Sequence, residues 1–205
     1  MDRTFTNLKS QIGNWLDDQS LTAYTEMFIS MAEDRHARDV RVRANTVRST
    51  AVGADDRRLP LPEGFLGMRR LREDDITKEP LKYLTPELIA TEFKASGTPE
   101  FFTVHEELEF DVEIGSSTTL EILYFKKFDA LSDTNASNWL LENAWGAYLF
   151  GALAEAADFI DDAESVAKWE GKYNAVIAKL ADAERRERMP SGGRAASRYA
   201  AKDVV

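Results

Sequence analysis

The chain contains few side chains that are typical of catalytic or metal-binding sites. Two histidines occur, His36 in a predicted helix and His105 in a predicted strand, and cysteine is absent. Neither histidine lies in an HExxH-like spacing or accompanies a GxSxG motif, so neither a histidine-ligated metal site nor a Ser–His–Asp triad is predicted. Without cysteine, a thiolate nucleophile, a disulfide and a cysteine-ligated zinc site are excluded.

A run of acidic residues in the middle of the chain would suit a pair of carboxylates for glycoside hydrolysis. These residues are Glu106, Glu107, Glu109, Asp111 and Glu113. They alternate with apolar residues, and among 36 acidic residues such pairs arise by chance. The pattern therefore favours the solvated face of a strand. No GxxxxGKS/T or GxGxxG motif is present, and no cofactor is predicted.

The charge is acidic overall but basic near the end of the chain. A formal net charge of −10 argues against a surface that wraps nucleic acid, because neutralising phosphates requires clustered Lys and Arg. Between positions 185 and 202, only Glu187 opposes a set of basic residues. That set is Arg185, Arg186, Arg188, Arg194, Arg198 and Lys202. A basic tail on an acidic body favours docking to an acidic protein as readily as to nucleic acid.

Length and composition also limit the classes of protein to which the chain can belong. The chain has 205 residues, of which 43% are apolar, which is enough to bury a core. No stretch of about 18 uninterrupted apolar residues occurs, and the first residues lack the basic-then-apolar layout of a signal peptide. We therefore expect neither a membrane span nor export by a signal peptide.

Helical periodicity marks the first part of the chain. An opening amphipathic helix is predicted, with Thr4 or Thr6 as its N-cap. Its apolar positions are Phe5, Leu8, Ile12, Trp15 and Leu16. A second helix is predicted from Ser20 as a cap, and its apolar face carries Leu21, Tyr24, Phe28 and Met31. The far end of that helix is basic and favours a solvated or salt-bridged face; it carries Arg35, His36, Arg38, Arg41 and Arg43.

The middle of the chain reads as strands and turns. The prolines and glycines between positions 59 and 67 cannot continue a helix. A β-hairpin is predicted around the turn Gly115-Ser116-Ser117, because apolar and polar residues alternate on both sides of it. The alternating apolar residues are Leu108, Phe110, Val112 and Ile114 before the turn, and Leu120, Ile122 and Tyr124 after it.

Two long helices are predicted after position 131, and a short break should make them pair antiparallel. The first apolar stripe consists of Trp145, Leu149, Ala152, Leu153, Ala156 and Ile160. The second follows Asp161-Asp162 and consists of Val166, Trp169, Tyr173, Val176, Ile177 and Leu180. Core packing is the favoured role of Trp139, Trp145 and Trp169. Glycines and alanines such as Gly146 and Gly151 would let a neighbouring helix approach closely.

The fold class expected from these patterns is α+β, a mainly helical bundle with an inserted β-rich subdomain and an extended C-terminal tail. Residues 1–44 and 131–188 are expected to form the bundle, and residues 45–130 the insertion. The tail, residues 189–205, follows Pro190 and Gly192-Gly193 and contains too little apolar surface to order itself.

The order of these segments resembles a known family. The residues that carry the likeness run from about Thr4 to Leu180, and the portion from Asn138 to Ala157 is the most specific. The segments include Leu59-Pro60-Leu61-Pro62-Glu63-Gly64-Phe65-Leu66, Thr119-Leu120-Glu121-Ile122-Leu123-Tyr124-Phe125-Lys126-Lys127, Asn138-Trp139-Leu140-Leu141, Tyr148-Leu149-Phe150-Gly151-Ala152-Leu153-Ala154-Glu155-Ala156-Ala157 and Trp169-Glu170-Gly171-Lys172-Tyr173. They are similar to head-to-tail adaptor (connector) proteins of tailed bacteriophages, distant relatives of tail tubular protein A.

This resemblance implies a non-enzymatic virion protein made in the host bacterial cytoplasm. Twelve copies would form a ring beneath the dodecameric portal, with a tail tube or nozzle protein below and DNA passing through the channel without specific binding. The tail would reach into the portal. The residues expected to bind it are Arg194, Arg198, Tyr199, Lys202, Val204 and Val205. Two alternatives stay open: a tail-completion or neck ring with other partners, and a virion-associated peptidoglycan-cleaving enzyme.

Overall fold

A computed structural model of the protein describes residues 2–16 and 18–188. Helices and strands both occur there, so the α+β class is confirmed. The helices are α1 (Phe5–Trp15), α2 (Thr25–Asp39), α3 (Pro86–Ile89), α4 (Trp139–Asn143), α5 (Trp145–Phe159) and α6 (Ala163–Arg188), with 3-10 helices at Gln19–Tyr24 and Arg43–Asn45. The strands are β1 (Thr46–Val52), β2 (Asp56–Pro60), β3 (Phe65–Glu73), β4 (Lys82–Tyr83), β5 (Phe101–Val104), β6 (Glu107–Ile114) and β7 (Thr119–Lys126). Within these ranges, no helix combines the length and the apolar composition that a membrane span requires.

The first helix forms as its sequence predicts. The Oγ1 atom of Thr4 accepts a hydrogen bond from the backbone N–H of Asn7 at 3.3 Å, so Thr4 is the N-cap. Phe5, Leu8 and Ile12 are buried on one face. Trp15 departs from the predicted stripe, because α1 ends at this residue and 44% of the side chain stays exposed.

The second helix begins later than expected. Asp18, rather than Ser20, caps the preceding 3-10 helix by accepting the N–H of Ser20 at 2.8 Å, and α2 starts only at Thr25. The predicted apolar face is wrong in part, since Tyr24 and Met31 are largely exposed. The face that packs inward is instead Phe28, Ile29, Ala32, Glu33 and His36. Apolar spacing alone does not predict this face, because Glu33 and His36 are polar.

Helices α5 and α6 pack side by side in antiparallel directions, as predicted. Phe150 stacks on Trp169 with ring centroids 6.1 Å apart, and Gly151 lies against Tyr173. A Cβ atom placed on Gly151 would stand 3.1 Å from the Cβ atom of Ala32 in α2. Glycine at this position therefore lets α5 lie close to both neighbouring helices. Ile160 leaves the predicted stripe, because α5 ends at Phe159 and the side chain is half exposed.

The strands form two sheets, and the predicted hairpin is wrong. One sheet has the order β1-β7-β3 and the other β2-β6-β5-β4, with β4 and β5 parallel and all other pairs antiparallel. Strands β6 and β7 do exist at the predicted positions, but each joins a different sheet. Their alternating apolar side chains meet in one core between the sheets. Alternation predicts which face of a strand is buried, but it does not choose the partner strand.

Two connections cross between the sheets side by side. The chain passes from β1 to β2 through residues 53–55 and from β6 to β7 through residues 115–118. The backbone N–H of Gly53 donates to the carbonyl of Thr118 at 2.9 Å, and Oδ1 of Asp55 accepts the N–H of Ser116 at 2.8 Å. Asp55 adopts a φ of 56°, which its short polar side chain tolerates. These contacts fix the two crossings to each other.

Replacing Gly53 by alanine is expected to destabilise the protein by roughly 1–3 kcal/mol. A Cβ atom on Gly53 would overlap with the carbonyl oxygens of Ile114 and Gly115, which belong to the neighbouring crossing. Urea denaturation measures the loss. Gly67→Ala is the matched control, because no heavy atom lies within 4 Å of the Cβ position there. Equal stability of the two variants would contradict the close approach at Gly53.

The buried apolar residues divide into two clusters. One lies among α1, α2, α4, α5 and α6, and the other lies between the two sheets. A polar contact joins the two parts: the Nζ atom of Lys127 lies 2.8 Å from Oδ1 of Asp34. We call the two parts the helical part and the β part.

Candidate functional site

The residues that the sequence singled out for docking lie beyond the part of the chain that the structure describes. They are Arg194, Arg198, Tyr199, Lys202, Val204 and Val205. Helix α6 ends at Arg188, and the described surfaces belong to the helical part and the β part.

The two histidines do not meet in a site. His36 is buried in the helical part, with its ring edge-on to Tyr148 at 4.5 Å and near the ring of Tyr173. Desolvation by burial lowers the pKa of His36 to about 4. His105 lies on the β part, 3.6 Å from Glu109. Within residues 2–16 and 18–188, no group of three or more His, Asp and Glu side chains is arranged to hold a metal ion.

A buried polar network ties α2 to α5 and to the chain before α4. An Oε1 atom of Glu33 accepts the backbone N–H of Leu131 at 2.7 Å and lies 3.4 Å from the hydroxyl of Tyr148, which donates to it. Asn138 donates to the same hydroxyl at 2.7 Å. Desolvation by burial raises the pKa of Glu33 and of Tyr148. Every contact of this network is internal, so its role is to hold the helical part together.

The acidic strand is solvated only in part. Glu107 and Glu113 are exposed on β6 as predicted, but Asp111 is fully buried and corrects that prediction. Its Oδ1 atom accepts the backbone N–H groups of Glu100 and Phe101, both at 3.1 Å, and its Oδ2 atom lies 3.1 Å from Nζ of Lys94. A segment distant in sequence therefore covers this carboxylate. These contacts pair the buried carboxylate with one cation and with two backbone N–H groups.

The basic end of α2 is salt-bridged, as the sequence favours. Nη1 of Arg35 lies 3.2 Å from Oε1 of Glu155 in α5, and Nη2 lies 2.7 Å from Oε1 of Glu170 in α6. The guanidinium also stacks over the ring of Tyr173 at 4.5 Å. Arg35 thus joins three helices, and its side chain is mostly buried.

Aromatic side chains form a partly exposed cluster where α1, α5 and α6 meet. Trp169 is buried between Phe150 and the half-exposed Trp15, whose ring centroid lies 5.6 Å away. The ammonium groups of Lys168 and Lys172 lie 4.2 and 4.5 Å from the centroid of Trp169. An open cleft of about 310 Å³ adjoins the cluster. Core packing is confirmed for Trp169, while Trp15 supplies exposed aromatic surface.

The outward face of the three-stranded sheet carries a group of arginines around one carboxylate. Because Leu120 and Ile122 point into the core, Glu121 between them points outward, yet its side chain is only 4% exposed. Three arginines surround its carboxylate. The distance from a guanidinium nitrogen to a carboxylate oxygen is 3.5 Å for Arg48, 2.6 Å for Arg70 and 3.0 Å for Arg72. Hydrogen bonds from Arg72 and Arg70 lower the pKa of Glu121.

The same face carries further arginines and two apolar side chains. Arg69 donates to Oγ1 of Thr46 at 2.9 Å and lies over the ring of Phe125, as does Arg41 from the end of the helical part. Leu123 and Phe125 alternate with the buried residues of β7 and are half-buried. We call this surface the basic sheet face; its residues are Arg41, Arg48, Arg69, Arg70, Arg72, Glu121, Leu123 and Phe125.

The outward face of the four-stranded sheet is covered by the chain itself. Thr103 alternates with the core residues of β5 and points outward, but it is fully buried. Helix α3 packs on this strand and buries Ile89 there. The two sheets therefore differ, since the basic sheet face keeps a row of partly exposed arginines at its surface.

The basic sheet face was not predicted from the sequence. Its arginines come from β1, β3 and the end of α2, and the carboxylate that they share lies 49 residues or more along the chain from the arginines of β3. One local signal was available: Arg70 and Arg72 stand two residues apart around buried Leu71, which places both on the same face of a strand.

Comparison with known families gives a match over nearly the whole chain. A model of the SU10 adaptor protein family matches residues 3–198, which include both the helical part and the β part. A comparison with curated proteins found no match. A phage adaptor is a structural component of the virion rather than a catalyst. The chain therefore belongs to the SU10 adaptor protein family of phage structural proteins.

Proposed function

We propose that this adaptor forms a twelvefold ring at the neck of the virion, where it joins the portal of the capsid to the tail. The observation that carries this proposal is the match to the SU10 adaptor family over residues 3–198. The likeness of the segments between Thr4 and Leu180 to relatives of tail tubular protein A supports the same position. The ring would continue the DNA channel, with a tail tube or nozzle protein below it.

The charge of the protein suits a channel that DNA passes through without binding. The net charge is −10, and a strongly acidic wall repels the phosphate backbone. Binding to DNA gains its free energy from counterions that cationic side chains displace, and an acidic wall offers few such sites. The ring would therefore guide DNA rather than hold it.

The roles that we propose for the helical part and the β part correspond to the two apolar clusters. Residues 1–44 and 131–188 would act as a helical bundle that builds the ring, and residues 45–130 as an insertion that faces outward or toward the tail. The separate cores of the helical part and the β part support this division. Residues 189–205 would dock in the portal, with Arg194, Arg198 and Lys202 against acidic groups and Tyr199 in an apolar pocket.

Native mass spectrometry of the chain with its cognate portal tests the proposal. The chain alone is expected to be monomeric or weakly associated, because its acidic body repels other copies in the absence of a template. Added to portal, it is expected to give a complex with twelve adaptor subunits. A closed ring of another number, or no complex with portal, would overturn the proposed function.

A truncation after Arg188 tests the docking role of the tail in the same experiment. The melting curve is expected to stay unchanged, because the buried clusters lie within residues 5–173. Affinity for portal is expected to fall by at least about a hundredfold, because the truncation removes one docking arm from every subunit and the effect is multiplied around the ring. Undiminished binding of the truncated chain would move the docking surface to the helical part.

A further inference from the structure

The molecule carries surfaces of opposite charge near the two ends of α6. At one end, the turn from α5 to α6 is acidic and exposes large apolar side chains. We call residues 158–164 the acidic turn; its charged residues are Asp158, Asp161, Asp162 and Glu164. Phe159 is 55% exposed and Ile160 is 48% exposed in the middle of this turn. An exposed apolar patch that is rimmed by polar residues marks an interaction surface.

The basic sheet face lies at the other end. Glu184, near the end of α6, holds Arg43, and β1 begins three residues later at Thr46, to which Arg69 is bonded. The acidic turn includes the first residue of α6, Ala163. At 1.5 Å per residue, the helix between Ala163 and Glu184 spans roughly 30 Å. One molecule therefore presents an acidic surface and a basic surface that are too far apart to contact each other.

The compositions of the two surfaces are complementary. On the basic sheet face, three arginines share the single carboxylate of Glu121, so positive charge is left in excess. Leu123 and Phe125 supply apolar area between the arginines, as Phe159 and Ile160 do between the carboxylates. Opposite charges around an apolar centre are the usual composition of a protein interface. A contact between two identical surfaces would instead bring like charges together.

We infer that the basic sheet face of one subunit binds the acidic turn of the next copy of this chain. The contact is heterologous, so each subunit uses one surface of each kind, and repetition closes a ring where the rotation between neighbours allows it. This inference rests on the proposed function for the existence of the ring, and it adds which surfaces meet. It also explains why the basic sheet face is left uncovered while α3 covers the other sheet.

Engineered cysteines test the contact without portal, since the chain contains no cysteine of its own. Thr50 is exposed on β1 opposite Glu121, at the edge of the basic sheet face, and Ala163 is exposed in the acidic turn. Full-length Thr50→Cys is mixed with full-length Ala163→Cys at high protein concentration and low salt. The yield of mixed disulfide after oxidation is expected to be about tenfold higher than in a control mixture of Glu113→Cys with Ala163→Cys. The reason is that bound neighbours raise the effective concentration of the two thiols. Glu113 is exposed on the other sheet and serves as the matched position.

Charge reversal identifies the force that holds the two subunits together. Adding Arg48→Glu and Arg69→Glu to the Thr50→Cys chain is expected to return cross-linking to the level of the control. Adding Asp158→Lys and Glu164→Lys to the Ala163→Cys chain is expected to do the same. Combining the two reversed chains is expected to restore cross-linking, which separates a disrupted interface from a disrupted fold.

Three results would overturn the inference: a yield no higher than the control, a predominance of Thr50→Cys pairs with themselves, or no response to charge reversal. Binding of duplex DNA that the Arg48→Glu and Arg69→Glu changes abolish, together with a control-level yield, would assign the face to phosphate instead. Portal binding is measured separately by native mass spectrometry. Cross-linking without portal binding would therefore overturn only the proposed function, and portal binding without cross-linking only this inference.

Discussion

Replacing Trp169 by alanine is expected to lower the free energy of unfolding by about 3–5 kcal/mol. The side chain is 7% exposed and lies between Phe150 and Trp15, so it joins α6 to α5 and α1. Its removal leaves a cavity that the surrounding rings cannot fill, because Phe150 is held on α5 and Trp15 on α1. Urea denaturation followed by circular dichroism measures the change.

Trp15→Ala is the matched control for this prediction. This variant also removes a tryptophan side chain from the same cluster, but 44% of Trp15 is already exposed. Its loss of stability is therefore expected to be clearly smaller than that of Trp169→Ala. Equal losses of stability in the two variants would show that burial does not determine how much each tryptophan contributes to the free energy of unfolding. An unchanged stability of the Trp169→Ala variant would contradict its position in the core.

The stability of the protein is expected to fall by about 3 kcal/mol between pH 6.5 and pH 4 through His36 alone. Burial lowers the pKa of His36 from 6.5 to about 4 in the folded protein. Between these values the unfolded chain binds a proton at this residue and the folded chain does not. The contribution of His36 is therefore fully present above pH 6.5 and is lost as the pH falls toward 4.

Neighbouring groups oppose or modify this loss. Asp39 favours protonation of His36 and Arg35 disfavours it, while Tyr148 and Tyr173 face the ring without charge. Glu33, which contacts Tyr148, acts in the opposite sense: its pKa is raised by burial, so it adds stability at low pH that is lost as the pH rises through its folded pKa. The total pH profile consequently understates the effect of His36.

Comparison with His36→Leu isolates the effect. The difference in free energy of unfolding between the wild type and the variant is expected to change by about 3 kcal/mol from pH 7 to pH 4, to the disadvantage of the wild type. Urea denaturation at several pH values measures it, and both proteins carry the same Glu33. Parallel profiles for the two proteins would contradict a buried, neutral histidine.

Local patterns predicted the parts of this fold that depend on neighbouring residues. Thr4 caps α1 because a hydroxyl before an apolar run satisfies the first N–H groups of a helix. The alternation of Leu120, Ile122 and Tyr124 predicted a strand with one buried face, and β7 has that face. The antiparallel pair α5 and α6 follows from a break too short for any other arrangement.

Features that depend on contacts between residues far apart in the sequence were not predicted. Asp111 is buried because residues 94–101 fold over it, and nothing in the alternation of β6 reveals that cover. The inward face of α2 includes Glu33 and His36, whose partners come from residues near 131 and 148. The pairing of β6 and β7 with different sheets likewise depends on β1, β2, β3 and β5 rather than on the turn between them.

The two candidate surfaces also depend on contacts that local sequence patterns do not predict. The charges of the acidic turn lie close together in sequence, but only the structure shows that Phe159 and Ile160 are exposed among them. The basic sheet face gathers Arg48, Arg70 and Arg72 around Glu121 from three strands. A sequence pattern cannot report such a cluster, since the register between strands decides which side chains meet.

The helical part is assembled from both ends of the chain, and this has a consequence for its synthesis on the ribosome. Helices α1 and α2 emerge first, but their partner α5 begins only at Trp145, after the whole β part. At the usual rate of translation, the roughly 100 residues between them take about 5–20 s. During that interval Phe5, Leu8, Phe28 and Ile29 have no α5 to cover them. The nascent chain thus passes through a stage in which the β part has all its strands while the N-terminal helices offer an apolar face to chaperones or to other nascent copies.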